Sequence, residues 1–373
     1  MSFSLSANKE NKKVRVWLDG CFDIIHFGHA NAIQQAKALG DVLVVGVHSD
    51  EEIAQHKGPP VLNETERCRI VHAIKWVDEV VENVPYITSV ATLDKYNCDF
   101  CAHGDDLTTS ADGRDSYEEV KAVGRFKEFK RTAGVSTTDL VGRMLLATRS
   151  HHSSALTVGE AEKATFAQMA SSPNSQNSPY TKTCQFVPTT QQLVEFSTGR
   201  APAPGEKVAY VCGSFDLFHV GHVAFLEKCY AMATYIIVGV HSDSVVNSYR
   251  GANYPIMTVF ERVLSVLSCR YVANVVIDAP YCVTEELIKQ FKVDLVISGS
   301  RTAVSASTDG SDPFGQAKRL GVYREVDSGT DMTAYTVIER IIANRIKFEE
   351  RNRKKEQKEM TALLAKSNEA NGK

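Results

Sequence analysis

The sequence predicts an α/β chain of two tandem domains, each a doubly wound parallel sheet with helices on both faces. Two observations carry that prediction. Strand-like apolar runs alternate with helix-like segments, the pattern that builds parallel sheets. The pattern also occurs twice. Trp17-Leu18-Asp19-Gly20-Cys21-Phe22-Asp23-Ile24-Ile25-His26-Phe27-Gly28-His29 returns as Tyr210-Val211-Cys212-Gly213-Ser214-Phe215-Asp216-Leu217-Phe218-His219-Val220-Gly221-His222, 193 positions later. A repeat this long marks a duplicated domain rather than a solenoid unit.

In order along the first copy, alternation at Val14, Val16 and Leu18 predicts a strand. Ala30 to Leu39 places Ala32, Ile33, Ala36 and Leu39 on one helical face. Asp41 to His48 is almost wholly apolar, as a central parallel strand buried on both faces should be. Ser49-Asp50-Glu51-Glu52 and Asn63-Glu64-Thr65-Glu66-Arg67 each open a helix with acids in the first turn. Val77 to Val81 reads as a strand, Ile87 to Tyr96 as a helix, and Phe100 to His103 and Phe126 to Phe129 as strands. Ser136 with Asp139 three residues later signals one more helix start. The domain boundaries expected are 13–148 for the first copy, 149–205 for a Ser/Asn/Gln/Pro-rich linker, 206–348 for the second copy and 349–373 for a charged tail. Within the linker, Phe186 to Phe196 reads as a short docking element.

A net charge of −3 argues against nucleic acid or an anionic membrane as a general partner. No apolar run approaches bilayer length, and Met1 to Lys13 lacks the hydrophobic core of a secretory signal. Nine scattered cysteines fit reduced thiols in a cytoplasmic protein. Cys98 and Cys101 have CxxC spacing without a second pair to complete a zinc site.

The chemistry should sit at the His-x-Gly-His turn. It joins a strand to a helix N-terminus, where free N–H groups and the helix dipole attract phosphate. His26 and His29 can each donate to a phosphate oxygen, and Gly28 between them lets a nucleotide approach the backbone. The alternative is a pair of capping histidines with no ligand.

His-x-Gly-His after a strand, Lys57-Gly58 in a later loop, Glu66-Arg67 at a helix start, Gly104-Asp105-Asp106, and Arg131-Thr132-Ala133-Gly134-Val135-Ser136-Thr137-Thr138 together resemble the motif set of the cytidylyltransferases. More narrowly they resemble the branch with two such domains in one chain. The resemblance covers Val14 to about Phe348 and implies Rossmann-like nucleotidyltransferase domains. It implies cytidylyl transfer from CTP to phosphoethanolamine, a step of phosphatidylethanolamine synthesis, with Mg²⁺ bridging phosphate oxygens and few direct protein ligands. By the same resemblance His26, His29, Lys57 and Arg131 are catalytic. Gly20, Cys21, Phe22, Asp23, Gly28, Arg67, Thr132, Ser136 and Thr137 bind the nucleotide. Tyr86, Asp105 and Asp106 receive the ammonium group of the second substrate. No protein ligand to the metal is nominated. Peripheral contact with the endoplasmic reticulum and a homodimer remain open.

The second copy departs from the set. Lys57 becomes Arg250, Asp105-Asp106 becomes Ser300-Arg301, and Arg-Thr-Ala-Gly becomes Val326-Asp327-Ser328-Gly329. The first copy is therefore expected to catalyse. The second is expected to be weak or silent, with Phe215, His219 and His222 still candidates for nucleotide contact. Phosphocholine as the acceptor, adenylyl transfer from ATP, a class I aminoacyl-tRNA synthetase and a non-catalytic nucleotide-binding regulator are the rival readings.

Overall fold

The alternating apolar runs form two parallel sheets flanked by helices. The computed structural model describes residues 12–106, 108–110, 113–132, 136–146, 151, 199–300, 312–350, 352, 353, 357 and 360. The segment Phe186–Phe196, most of the charged tail, Ala133–Val135 and Arg301 lie outside them.

In the first copy the strands are β1 (Arg15–Gly20), β2 (Val42–His48), β3 (Glu79–Val84), β4 (Phe100–Gly104) and β5 (Phe126–Phe129). They pair in the order β3-β2-β1-β4-β5, every pair parallel. The helices are α1 (Phe27–Lys37), α2 (Asp50–His56), α3 (Glu64–His72), α4 (Val90–Lys95), α5 (Glu118–Ala122) and α6 (Thr137–Leu146). In the second copy β6 (Val208–Gly213), β7 (Tyr235–Val240), β8 (Val272–Ile277), β9 (Leu295–Gly299) and β10 (Tyr323–Val326) repeat the same order as β10-β9-β6-β7-β8. Their helices are α7 (Val220–Tyr230), α8 (Asp243–Arg250), α9 (Val259–Leu267), α10 (Glu285–Gln290), α11 (Gly315–Arg319) and α12 (Ala334–Ala343).

Side-chain caps set the helix starts. Ser49 accepts from the Glu52 N–H, and Asn63 with Glu66 forms a reciprocal capping box. Thr258 with Glu261 repeats that box in the second copy. The fourth helix begins at Val90, three residues later than its apolar pattern suggests, because Ser89 caps it by accepting from the Thr92 N–H. No residue pattern marks α5, which is five residues long and has no side-chain cap. The central strands β1 and β2 are buried, whereas the edge strands β3 and β5 are half exposed. In each sheet the order reverses beside the first strand, which puts a binding crevice at that strand's carboxyl end.

The described residues pack as two compact units. One takes those within Met1–Asp23, Gly28–Gly134 and Asn344–Lys373, the other those within Ile24–Phe27 and Val135–Ala343. In the structure α6 belongs to the second unit, where it packs on α12.

Candidate active site

The loop after β1 is held in a backbone conformation that its residue types disfavour. Phe22 and Ile24 have φ of 52° and 47°, and Phe215 and Leu217 repeat this at 49° and 48°. A left-handed non-glycine residue costs about 1–2 kcal/mol. The loop keeps that shape because two side chains anchor it. The buried Asp23 carboxylate accepts from the Val61 and Leu62 N–H groups at 3.0–3.1 Å. Asp216 does the same with Ile256 and Met257 at 2.7 and 2.9 Å.

Arg67, expected on a phosphate, is the second anchor. It is fully buried. It donates to the carbonyls of Cys21 (2.7 Å), His48 (2.8 Å) and Leu62 (3.2 Å), and to Asp50 (2.7 Å). Arg262 makes the same four contacts with Ser214, His241, Met257 and Asp243. A guanidinium committed in this way ties β1, β2 and the start of α3 together. Asp23, expected on the nucleotide, likewise holds protein backbone.

Gly20 ends β1, and Cys21 is half buried beyond it. His26 is buried just before α1. Gly28 and His29 lie in the first turn of α1, with the His29 ring 5.9 Å from that of Phe22. Lys57 follows the end of α2, next to Gly58 at φ 98°, a backbone that only glycine adopts freely. As a residue Lys57 is exposed. Its ammonium is nevertheless closed in by Cys21 and by Tyr86, whose ring centroid lies 5.5 Å away. The Cys21 thiol, and after it Tyr86, hold the Lys57 ammonium above the ordinary lysine range. Tyr86 is buried and stacks on His56 at 4.2 Å. Burial pushes its phenol up.

A buried carboxylate that sequence reasoning did not single out lies beneath this group. Asp19, near the end of β1, accepts from Trp17 Nε1 (3.0 Å), from the Tyr117 hydroxyl (2.7 Å) and from the Thr88 hydroxyl. Its charge is felt at His48 and at Tyr86. Burial still dominates at His48 and lowers it. The signal that could have found Asp19 is a charged residue inside an otherwise apolar strand. The second copy removes the whole network: Trp17, Asp19, Thr88 and Tyr117 correspond to Tyr210, Cys212, Val283 and Phe314. The Tyr210 hydroxyl there is buried with no hydrogen-bond partner.

Asp105 and Asp106 are exposed, and Arg131 takes up both. The Arg131 N–H donates to Asp105 at 2.8 Å, and its guanidinium lies 3.7 Å from Asp106. Thr132 accepts from Asn31 of α1 at 2.7 Å. Ser136 accepts from the Asp139 N–H at 3.1 Å and so caps α6, whose first residue is Thr137. Among the described residues no group of three or more His, Cys, Asp or Glu could hold a metal ion.

Strand pairing also corrects the register between the copies. Asp105 N–H donates to Phe129 C=O at the end of β5, and Ser300 N–H donates to Val326 C=O at the end of β10. Val326 therefore matches Phe129, and Arg131 matches Ser328 rather than Val326. In the second copy His219 caps α7 by accepting from the Gly221 N–H at 3.1 Å, and its own N–H donates to His222 at 3.3 Å. The two rings stack at 3.9 Å. A Cβ at Gly221 would collide with the Met332 carbonyl, so protein backbone closes over this helix start.

Both copies thus carry a parallel sheet, a strained loop and a helix that starts at a His-x-Gly-His turn. The cytidylyltransferase-like family model matches residues 17–143 and 210–355, and the chain belongs to this family. Ethanolamine-phosphate cytidylyltransferase of Mus musculus is 53% identical over 95% of this chain and 92% of its own. The Dictyostelium discoideum enzyme of the same name is 50% identical over 96% and 99%. Choline-phosphate cytidylyltransferase 2 of Arabidopsis thaliana is 44% identical, over 37% of this chain and 47% of its own.

Proposed function

We propose that the first copy transfers cytidylyl from CTP to phosphoethanolamine, giving CDP-ethanolamine and pyrophosphate. The observation that carries this reading is the buried Asp19 carboxylate beside Tyr86, with the Lys57 ammonium over the same ring. An acid for an amine and a cation for a phosphate meet at the end of one strand. A phosphate oxygen of the acceptor forms the bond to the α-phosphorus of CTP, and the bond from that phosphorus to the oxygen bridging the α- and β-phosphates breaks, so that pyrophosphate leaves with that oxygen. The substrate supplies the nucleophile, so the protein's part is alignment and charge neutralisation. Lys57 serves both phosphates. His26 and His29 donate to the triphosphate. Arg131 receives its remaining charge.

Mg²⁺ fits this donor set as an ion that arrives on the triphosphate. The acids of the first copy considered above are taken up by protein donors, and phosphate oxygens are the ligands left to it. When bound it offsets the charge that the entering and leaving groups bring together.

The acceptor's head group follows from the hydrogen-bond inventory. A carboxylate offers about four lone-pair sites. Asp19 uses three on Trp17, Thr88 and Tyr117. A primary ammonium can donate to the fourth and to the hydroxyls around it. A quaternary ammonium has no N–H to offer. Relatives that match along nearly the whole chain support the same choice.

The eight described cysteines are free thiols, in keeping with a reducing, cytoplasmic setting. No described helix is long and apolar enough to cross a membrane. Any contact with the endoplasmic reticulum would then be peripheral. Pyrophosphate release from CTP with a panel of phosphorylated amino alcohols tests the reading: phosphoethanolamine should turn over best. Faster turnover with phosphocholine would overturn it.

A further inference from the structure

Resting on that reading, we infer that Glu52 and His56 are positioning residues of the acceptor site, which together clamp the Tyr86 ring beside Lys57. Both lie on α2, and Lys57 caps its end. These four residues and Asp19 belong to one compact unit. The Glu52 carboxylate accepts the Tyr86 backbone N–H at 2.8 Å. It also lies 3.8 Å from His56 Nε2, one helical turn on. The His56 ring lies flat on the Tyr86 ring, with centroids 4.2 Å apart and planes within 7°. His48 tilts against the same ring at 5.1 Å. Two side chains of one helix thus grip Tyr86 at its backbone and at its face.

The two sides of the clamp differ in how they are held. α2 is fixed independently of Tyr86. Ser49 caps its first turn and Ile53 is buried. Asp50 accepts from Arg67 at 2.7 Å and from the Glu64 N–H at 3.1 Å. Tyr86 lies outside any strand or helix, between the end of β3 and the start of α4. Its ring is oriented by α2. One helix thereby sets the spacing between the cation that meets the acceptor's phosphate and the ring beside its amine. The second copy supplies the contrast. Val245 and Tyr249 stand in the places of Glu52 and His56, and Tyr281 in that of Tyr86. A valine side chain has no acceptor for an amide N–H. The Tyr249 hydroxyl lies 3.2 Å from His241 Nδ1, and its ring meets Tyr281 at 5.7 Å and 46° rather than flat. Tyr281 is half-buried where Tyr86 is buried.

The test uses the full chain with His56→Ala and Glu52→Ala beside the conservative His56→Phe and Glu52→Gln. Phenylalanine keeps a flat ring, and glutamine keeps an oxygen for the Tyr86 N–H. Wild-type turnover of CTP with phosphoethanolamine is measured alongside, and its absence would remove the functional reading. The clamp is read separately, by hydrogen exchange at the Tyr86 amide. Glu52→Ala should speed that exchange about tenfold or more, and Glu52→Gln should leave it within about threefold. His56→Ala should raise KM for phosphoethanolamine about tenfold while KM for CTP stays within about twofold, because the ring shifts and Lys57 does not. His56→Phe should restore the lower value. Added to Tyr86→Ala, His56→Ala should cost nothing more, because it acts through that ring. Should His56→Ala fail to fold, Glu52→Ala carries the same kinetic test. Unchanged Tyr86 protection in Glu52→Ala, equal rises in both KM values, or losses that multiply in the double variant would overturn the assignment.

Discussion

Asp19 and Cys212 occupy matching places near the ends of β1 and β6, and the exchange changes what each crevice can hold. On the proposed reading, the buried carboxylate that accepts three neutral donors seats one more, cationic, donor. Replacing it by Asp19→Asn keeps the shape and removes the charge. A charge-assisted hydrogen bond contributes about 1.5–3 kcal/mol, so KM for phosphoethanolamine should rise about 10- to 100-fold with KM for CTP unchanged. Initial rates with each substrate varied in turn check this. An equal rise in both would place Asp19 in the fold rather than in the acceptor site. Histidine gives a second prediction at this scale. Burial pushes His222 down to about 3 and His241 to about 4, from an ordinary 6.5. Below pH about 6.5 the unfolded chain takes up protons that the folded chain refuses, so stability falls with acidification toward pH 3–4. Urea midpoints by circular dichroism should drop along that limb, and His222→Gln should flatten it.

At the scale of elements, the order of strands and helices was legible because period and caps are local. Val42–His48, Phe126–Phe129 and the Asn63 capping box could be read directly. Chain reversals were harder. The left-handed Phe22 and Ile24 leave no mark in residue type, and α5 is too short to show a period. The register of the last strand slipped because two short insertions moved Phe129 onto Val326 with little identity between them. The protein contacts of Arg67 and Asp23 were not legible for a related reason. An arginine at a helix start looks the same whether it meets phosphate or four protein acceptors, and only the duplicate in a copy without the cations exposes the difference. Arg67→Met and Arg262→Met should therefore destabilise by similar amounts, about 3–5 kcal/mol, as loss of one partner of a buried pair does. Denaturant titrations of both variants check this. A stable Arg67→Met protein that has lost activity would return Arg67 to the phosphates.

At the scale of the molecule, duplication supplied one scaffold twice, and the two copies diverged at Lys57, at Arg131 and in the Asp19 network. Both keep the sheet order, the strained loop, the aspartate anchor and the arginine clamp. The first keeps Lys57, Arg131 and the Asp19 network. In the second His219 caps its own helix, and the Met332 carbonyl packs against Gly221. The proposal that one copy transfers rests on Lys57, Arg250 and the exchanged acids, all of which the sequence itself displays. That α6 packs in the second unit was not legible, since it depends on Arg143 meeting a glutamate 118 positions away. The most direct measurement is turnover of Lys57→Ala beside Arg250→Ala in the full chain. Loss of a preorganised cation at the transferring phosphate costs about 10²–10³ in rate. Lys57→Ala should fall by at least that much, and Arg250→Ala should keep most of the wild-type rate. Comparable losses from the two changes would contradict a single transferring copy.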